Sequence, residues 1–376
     1  MTKQILSKQV LSKQVDRRRM LAGLAAGAGA STLAAPAIAQ GKLEWRMVTA
    51  WPKGLPGLGT GADRLAARIT EMSDGKLSIR VFAAGELVPG SQTFEAVQNG
   101  TAEMAHDTPG FHLGKNRAFG YFFSVPFGMT YVEHVAWLDY GGGQAMWDEL
   151  SARFGLKSFA VGNIDTPPFG WFKKEIKSVD DLKGVKMRMP GLGAEMIRKV
   201  GAVPTVMPPG DVFAALQSGA LDATDFTGPA NDMALGFPQV CKYYYWPGVH
   251  KQGAVQQMLV SKAKYDALPD SLKRVITVAA QASHQDMLAE YNWLNANALA
   301  TLKSKFGVES RKLPDDVLIA LGKAAGEVLK DEREKLDDFG KKIWDSHFAA
   351  RKTMIQLTDL SNRALANARG LDFPYV

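Results

Sequence analysis

Segments with strand-like and helix-like periodicity alternate along most of this chain, and this alternation constrains its fold more than any other feature. Apolar residues spaced two apart indicate strands, whereas spacings of three and four indicate helices. Their alternation is typical of a parallel sheet covered by helices, so the predicted fold class is α/β. The predicted strands are 43–48, 76–82, 102–106, 156–163, 185–189, 205–207, 222–226 and 253–260, and the predicted helices are 61–72, 91–99, 143–154, 193–200 and 211–218.

The length of the chain predicts two lobes. A chain of 376 residues is longer than one hydrophobic core comfortably supports. The strand at 156–163 is expected to cross towards the second lobe, and the strand at 253–260 to return to the first. From Ser271 onwards a helical pattern runs nearly to the end, with an interruption near 307–314. The predicted boundaries are 40–160 plus about 253–313 for lobe 1, 161–252 for lobe 2, and 314–376 for long helices that bridge the lobes or form a dimer surface.

The first 39 residues have the pattern of an export signal. A polar start is followed by Arg17 and Arg18, one spacer, two apolar residues and a run rich in Ala, Gly and Leu. The small residues Ala37 and Ala39 predict cleavage after Ala39. Paired arginines in this setting are typical of twin-arginine export, and an ordinary secretory signal with a basic start is the alternative. Either route places the mature chain in the periplasm.

Charge and composition exclude several classes of protein. The predicted signal carries six cationic side chains and one acid, so its removal lowers the formal net charge from +7 to about +2. A nucleic-acid partner therefore loses its electrostatic support. No other apolar run approaches the length of a membrane span. Cys241 is the single cysteine, which rules out an intramolecular disulfide, and no cysteine follows the cleavage site to carry a lipid.

A basic side chain, Arg188, closes one predicted strand immediately before a Pro-Gly turn and a helix. Alternation along the strand points it away from Met187 and Met189, towards the cleft expected at the carboxyl ends of the strands. A guanidinium binds a carboxylate through two parallel charge-assisted hydrogen bonds. From spacing alone, however, a structural arginine paired with Asp180 or Asp181 is the favoured interpretation.

Six segments of the chain resemble one family of receptors. They are FAAGELVPG at 82–90, VPFGM at 125–129, GWFKKEI at 170–176, DLKGVKMRMPG at 181–191, LQSGALDAT at 216–224 and YYYWPG at 243–248. Together they resemble the solute-binding proteins of TRAP (tripartite ATP-independent periplasmic) transporters, in the subgroup that binds α-keto acids and lactate. The resemblance covers nearly the whole mature chain. It implies a two-lobed periplasmic binding protein with several interlobe crossings, whose Arg188 pairs with a substrate carboxylate and which delivers that organic acid to a TRAP permease.

The chain departs from this subgroup at two predicted ligand contacts. The subgroup typically carries Glu-Trp where this chain has Asp225 and Phe226, so the acid is shorter and the aromatic wall lacks an indole donor. A ligand-facing Gln of the subgroup aligns with Pro167, and Thr166 is predicted to supply a hydroxyl instead. Phe111, His112 and Trp51 are further candidates for the cleft wall, with ordinary packing as the alternative for each.

A third departure concerns the metal cation that some members of the subgroup bind with the substrate. Aligned on Pro247 and Gly248, Lys251 stands where the subgroup has an acidic metal ligand. A bound cation needs anionic oxygen ligands, and an ammonium repels it. We therefore predict a site without a metal, in which Lys251 pairs with Asp225 and donates to a substrate oxygen; Asp225 would be the ligand if a cation were bound. The alternative is a Lys251 that faces solvent.

An exported cofactor-dependent oxidoreductase is the alternative function. The segment 57–62 matches the dinucleotide fingerprint G-x-G-x-x-A ahead of a helix. Against it, residues 51–56 separate the preceding strand from the first Gly, and no acid ends the second strand. Hydrolase motifs are absent from the sequence. We therefore predict that the protein is a receptor without enzymatic activity and without a cofactor.

Overall fold

The computed structural model describes residues 41–374, so the predicted export signal and its cleavage after Ala39 lie outside the described residues. The strands are β1 (Leu43–Thr49), β2 (Leu77–Phe82), β3 (Met104–Asp107), β4 (Leu156–Asn163), β5 (Gly170–Phe172), β6 (Lys186–Arg188), β7 (Val203–Thr205), β8 (Ala223–Thr224), β9 (Tyr243–Trp246), β10 (Val255–Ser261) and β11 (Glu309–Lys312). The α-helices are α1 (Gly59–Met72), α2 (Thr93–Gln98), α3 (Phe119–Phe123), α4 (Tyr131–Asp139), α5 (Gly143–Ala152), α6 (Leu192–Lys199), α7 (Pro209–Ser218), α8 (Pro229–Ala234), α9 (Lys262–Asp266), α10 (Asp270–Phe306), α11 (Asp315–Glu334), α12 (Asp338–Thr358) and α13 (Ala364–Arg369).

The strands form two sheets, which we use to define the two lobes. Lobe 1 contains the sheet β2-β1-β3-β10-β4, and lobe 2 contains the sheet β11-β9-β5-β8-β6-β7. The α/β fold class is therefore confirmed. The prediction of a parallel sheet is wrong in part, because β10 runs antiparallel to β3 and β4, and β5 runs antiparallel to β8 and β9. Strands β5 and β10 follow segments of the other lobe, so no helical crossover within one sheet fixes their direction.

Alternation along β1 explains why helices cover both faces of the first sheet. Met47 belongs to a buried cluster with Leu65 and Ile69 of α1. Its neighbour Val48 points to the opposite face, into a cluster that contains Phe94 of α2 and Phe122 of α3. Full burial of a side chain of this size contributes about 1.5–3 kcal/mol. The two faces together hold lobe 1 and fix the ends of its strands.

The long helix α10 packs against both lobes. It contacts β4 and α1 in lobe 1 and α8 in lobe 2. From this helix, the Tyr291 hydroxyl accepts a hydrogen bond from Asn231 Nδ2 of α8 (2.6 Å) and donates to the carbonyl of Pro56 in lobe 1 (3.2 Å). Helix α11 packs on α6 of lobe 2, whereas α12 packs on α4 and α5 of lobe 1.

The break between α10 and α11 corrects one predicted boundary. The range about 253–313 was predicted for lobe 1, yet β11 at Glu309–Lys312 is the edge strand of the second sheet. It pairs in parallel register with β9, from Glu309 beside Tyr243 to Lys312 beside Trp246. Together with the pairing to β5, it satisfies the backbone hydrogen-bonding groups on both edges of β9. In the part of the chain that the structure describes, no helix is both long and apolar enough to cross a membrane.

Candidate functional site

Arg188 and Asp225 meet at one edge of the second sheet. Arg188 is the last residue of β6, and Asp225 directly follows the parallel neighbour β8, so both leave their strands at the same end. Met187 points into the lobe 2 core and Arg188 to the other face, where its side chain is only 2% exposed. Nη1 lies 3.1 Å from Asp225 Oδ1 and donates to the Asp225 carbonyl (3.2 Å), while Nε donates to the Met207 carbonyl (3.3 Å).

The alternative pairing of Arg188 with Asp180 or Asp181 is wrong. Asp180 forms an ion pair with Lys183 at 2.6 Å, on the exposed surface. Asp181 accepts hydrogen bonds from the backbone of residues 177 and 178, where it caps a short 3₁₀ turn. Both acids therefore serve the turn before β6, at the end of the strand opposite to Arg188.

Asp225 organises the charged part of the site. It is completely buried, and its Oδ2 contacts the Lys251 ammonium and lies 2.9 Å from His250 Nε2. Burial alone would raise the pKa of Asp225, but Lys251, His250 and Arg188 outweigh it and hold that pKa well below its usual range. The carboxylate is therefore ionised at neutral pH and ties the two cations together.

The three basic side chains around Asp225 differ in their charge. Burial lowers the pKa of His250 in spite of the neighbouring carboxylate, so its neutral form is favoured, with the Nε2 proton facing Asp225. Burial also lowers the pKa of Lys251 and that of Arg188, and Asp225 opposes both shifts. Direct contact with an ionised carboxylate keeps an ammonium and a guanidinium charged in a buried position.

A small cavity lies beside these groups, between the ends of the two sheets. Its volume is about 20 Å³, roughly the space of one or two water molecules. Two cations and no acid belong to its wall, because Asp225 stands behind Arg188 and Lys251. The lining residues are Trp51, Thr108, Phe111, Phe123, Ile164, Arg188, Pro190, Phe226, Thr227, Lys251 and Gln256.

Five of the predicted site residues line this cavity: Trp51, Phe111, Arg188, Phe226 and Lys251. The indole Nε1 of Trp51 donates to His106 Nδ1 at 2.8 Å, which fixes the ring as a wall. Burial lowers the pKa of His106 to about 4, so this histidine is neutral and can accept the bond.

Two predicted site residues lie elsewhere. His112 Nε2 bonds Asp107 Oδ2 at 2.9 Å, and its ring packs 4.7 Å from that of Phe94, so this side chain belongs to the lobe 1 core. Thr166 is exposed and borders a separate surface cavity near Asn295. It follows Asp165, whose φ of 54° marks a turn that directs the next residue outwards.

Six residues of the cavity wall and one residue behind it were not predicted from the sequence. His250 was overlooked although it directly precedes Lys251, and Thr227 although it directly follows Phe226. The other five were not singled out from the sequence, and their contribution depends on how their segments meet in space. They are Thr108, Phe123, Ile164, Pro190 and Gln256.

The donor set at the cavity does not resemble a metal site. Within residues 41–374, no group of three or more His, Cys, Asp or Glu side chains is arranged to hold a metal ion. The nearest acid, Asp225, already contacts Lys251, Arg188 and His250. An ammonium in contact with the carboxylate oxygen takes the position that a cation would need.

Comparison with known proteins identifies the family. The model of the bacterial extracellular solute-binding proteins, family 7, matches residues 48–336. A monocarboxylate 2-oxoacid-binding periplasmic protein of Nostoc sp. is 37% identical over 310 residues, which is 82% of this chain and 84% of that protein.

Solved structures of TRAP solute-binding proteins share the fold. One from Bordetella bronchiseptica has a TM-score of 0.85 and 35% identity, covers 88% of this chain and 97% of its own, and is a mixed-occupancy dimer with copurified calcium and picolinate in its active site. Another, from Pseudoalteromonas atlantica, has a TM-score of 0.84 and 33% identity, covers 88% of this chain and 100% of its own, and contains sodium and pyruvate. The match to the family model, the relative and these structures together show that this chain belongs to the bacterial extracellular solute-binding proteins of family 7, the DctP-type receptors of TRAP transporters.

Proposed function

We propose that this protein is a receptor that captures a small monocarboxylate, a 2-oxo or 2-hydroxy acid, in the cavity beside Arg188. The observation that carries the proposal is a cavity wall with two buried cations, Arg188 and Lys251, and no acidic side chain. Asp225 engages Nη1 of Arg188 and the Met207 carbonyl accepts from Nε, which leaves the Nη2 protons for a carboxylate. The 2-oxoacid-binding relative and the neighbour with bound pyruvate support the same class of ligand.

The size and walls of the cavity favour a short, flat acid. Trp51, Phe111, Phe123 and Phe226 supply aromatic surface around the two cations. A volume of about 20 Å³, the space of one or two water molecules, is too small for pyruvate itself, so the lobes must separate to admit any acid. A pyruvate-like acid needs a smaller separation than a longer dicarboxylate and therefore suits the site better.

We further propose that binding needs no metal ion. The related structures contain calcium or sodium as well as an organic acid, but the residues of this chain do not fit such an ion. Lys251 Nζ contacts Asp225 Oδ2, and a positive charge there opposes a second cation. In its place, the ammonium holds Asp225 and offers its remaining protons to a ligand oxygen.

The alternative of a dinucleotide-dependent oxidoreductase lacks structural support. Gly57 of the G-x-G-x-x-A segment has φ of 71°, and a Cβ atom there would lie 2.7 Å from the Tyr291 ring. The Gly-rich loop is therefore covered by α10, and Gly59 already lies within α1. A nucleotide pyrophosphate needs an open approach to that loop. We propose that the protein has no enzymatic activity and no organic cofactor.

The mechanism that suits this architecture is closure of the two lobes around the acid. The cavity wall combines Trp51 and Phe111 of lobe 1 with Arg188 and Phe226 of lobe 2. A ligand that contacts both lobes favours the closed state by its differential affinity for that state. In this proposal the receptor acts in the periplasm after twin-arginine export, and its closed form delivers the acid to a TRAP permease.

A second copy of the chain is the proposed partner of the C-terminal helices. Beyond Thr358 the helical run is exposed and carries an apolar series of Leu360, Leu365 and Leu371, of which Leu360 is 83% exposed. Contiguous exposed apolar surface marks interaction sites, and one related receptor is a dimer. Sedimentation should give a dimer for the exported chain and a monomer for a chain that ends at residue 356; a monomer in both cases would contradict the proposal.

Replacement of Arg188 tests the proposed function most simply. We expect Arg188→Ala to abolish binding of pyruvate-like acids in calorimetry, because Lys251 alone lacks the forked donor geometry. Thr166→Ala, an exposed position away from the cavity, is the matched control and should bind with native affinity. Circular dichroism should show both variants folded. Native affinity for carboxylates in Arg188→Ala would refute the proposal.

A further inference from the structure

Gln256 stands out among the residues that line the cavity. Of the lining residues in the described chain, it alone has a buried side-chain polar atom, Oε1, without a hydrogen-bond partner. The residue is 3% exposed. A buried amide oxygen without a partner destabilises a fold, and most such atoms in proteins are paired. An unpaired amide oxygen at the wall of a ligand cavity therefore indicates a side chain that pairs with the ligand.

Strand β10, which carries Gln256, is irregular at this residue. The pairing of β10 with β4 shifts register between Gln256 and Gln257, because Gln256 faces Gly162 while Gln257 faces Ala160. Irregularities of this kind bend a strand and redirect its side chains. Gly162 also leaves space, since a Cβ atom there would lie 3.3 Å from Gln256 Cβ and 2.1 Å from Met287 Sδ.

The other polar groups of the lobe 1 wall are already engaged. The Trp51 Nε1 donates to His106, and the Thr108 hydroxyl donates to the Val255 carbonyl at 3.2 Å. In lobe 2, the Thr227 hydroxyl accepts from Asn231 Nδ2 at 2.8 Å. Gln256 is thus the polar side chain that lobe 1 can offer to a ligand anchored on Arg188 of lobe 2.

We propose that Gln256 hydrogen-bonds the oxygen on the second carbon of the acid and so selects 2-oxo and 2-hydroxy acids over plain carboxylates. The inference rests on the proposed function of the site. A glutamine amide donates through its NH₂ group to a keto oxygen, and after rotation it accepts from a hydroxyl through its carbonyl oxygen. The same bond links lobe 1 to the acid, so it also contributes to closure.

The test compares pyruvate with propionate, which has the same carboxylate and chain length but no oxygen on the second carbon. In calorimetry we expect Gln256→Leu to weaken pyruvate binding by about 10- to 100-fold and to leave propionate binding unchanged. Gln256→Met, which keeps the length of the side chain, should behave in the same way. Gln239→Leu, at an exposed position of lobe 2, is the matched control and should bind both acids as the native chain does.

A second readout separates this role from a structural one. Removal of an unpaired buried oxygen should leave the melting temperature of the ligand-free Gln256→Leu protein equal or higher. An unchanged ratio of pyruvate to propionate affinity in both Gln256 variants, or an equal loss for both acids, would overturn the assignment. If the native chain itself binds neither acid, the proposed function fails, and this inference falls with it.

Discussion

At the scale of single residues, one buried carboxylate determines the character of the site. Asp225 accepts from Arg188, contacts Lys251 and lies beside His250, so three basic side chains depend on one acid. Breaking a buried ion pair by removing one partner costs about 3–5 kcal/mol, since the other charge is left uncompensated. The site can therefore hold two cations at a cavity wall only because Asp225 stands behind them.

A charge reversal at Lys251 tests the proposal that the site binds its ligand without a metal. In Lys251→Glu, two carboxylates would face each other beside the cavity, and their repulsion needs a cation. We expect this variant to lose most of its affinity for pyruvate in the presence of a chelator and to regain affinity when calcium is added. Lys251→Met, which removes the ammonium without adding an acid, should not respond to calcium. Calcium-independent pyruvate binding by Lys251→Glu would contradict this role of Lys251.

At the scale of elements, the loop between β9 and β10 sets the position of Lys251. Gly248 N donates to the Pro167 carbonyl at 2.8 Å. A Cβ atom at Gly248 would lie 2.4 Å from that oxygen and 2.7 Å from the Pro168 carbonyl. Backbone atoms cannot move aside as a flexible side chain can, so the loop must approach through a residue without a side chain.

We therefore predict that Gly248→Ala displaces the loop and affects both stability and binding. The expected loss of unfolding free energy is about 1–3 kcal/mol, typical of an overpacked contact, and it should appear in urea denaturation. Pyruvate affinity should fall at least tenfold, because His250 and Lys251 move with the loop. Gly75→Ala provides a comparison, since a Cβ atom there meets nothing within 4 Å, although its φ of 71° carries some strain. A Gly248→Ala protein with native stability would contradict the tight approach.

The helices and strands also show which parts of the structure can be predicted from the sequence. Long segments such as Gly59–Met72 and Leu156–Asn163 were predicted nearly to the residue, because their apolar pattern extends over the full length of the element. The strands Gly170–Phe172 and Tyr243–Trp246 were missed, since short strands buried on both faces have no alternation. The ligand role of Arg188 was predicted only through the resemblance to the receptor family, because its spacing alone favoured a structural pair. The positions of Gln256 and Thr166 depend on a strand irregularity and a turn that are decided in three dimensions.

At the scale of the whole molecule, buried histidines make the fold sensitive to acid. Burial lowers the pKa of His106, His134 and His284 from 6.5 to about 4. The unfolded chain takes up these protons below pH 6.5 and the folded chain does not, so stability is lost as the pH falls from 6.5 towards 4. Asp232 acts in the opposite direction, because burial raises its pKa to about 6 against hydrogen bonds from Tyr244 and Trp171.

The three histidines should outweigh Asp232 in the pH dependence of stability. At pH 5 the shifted pKa of each histidine lowers the free energy of unfolding by about 2 kcal/mol, and that of Asp232 raises it by about 1 kcal/mol. We expect a clearly lower melting temperature at pH 5 than at pH 7.5 for the ligand-free protein. In His284→Gln the difference between the two pH values should be smaller, because one of the buried histidines no longer titrates on unfolding. Equal melting temperatures at both pH values would show that these side chains do not titrate as their burial requires.

We propose that this receptor holds a small carboxylate with its own two cations and without a metal ion. Calorimetric titration of the metal-stripped protein with pyruvate, in the presence of a chelator, tests it most directly. We expect saturable binding whose affinity stays the same, within about twofold, when calcium or sodium replaces the chelator. Binding that appears only after calcium or sodium is added would contradict it.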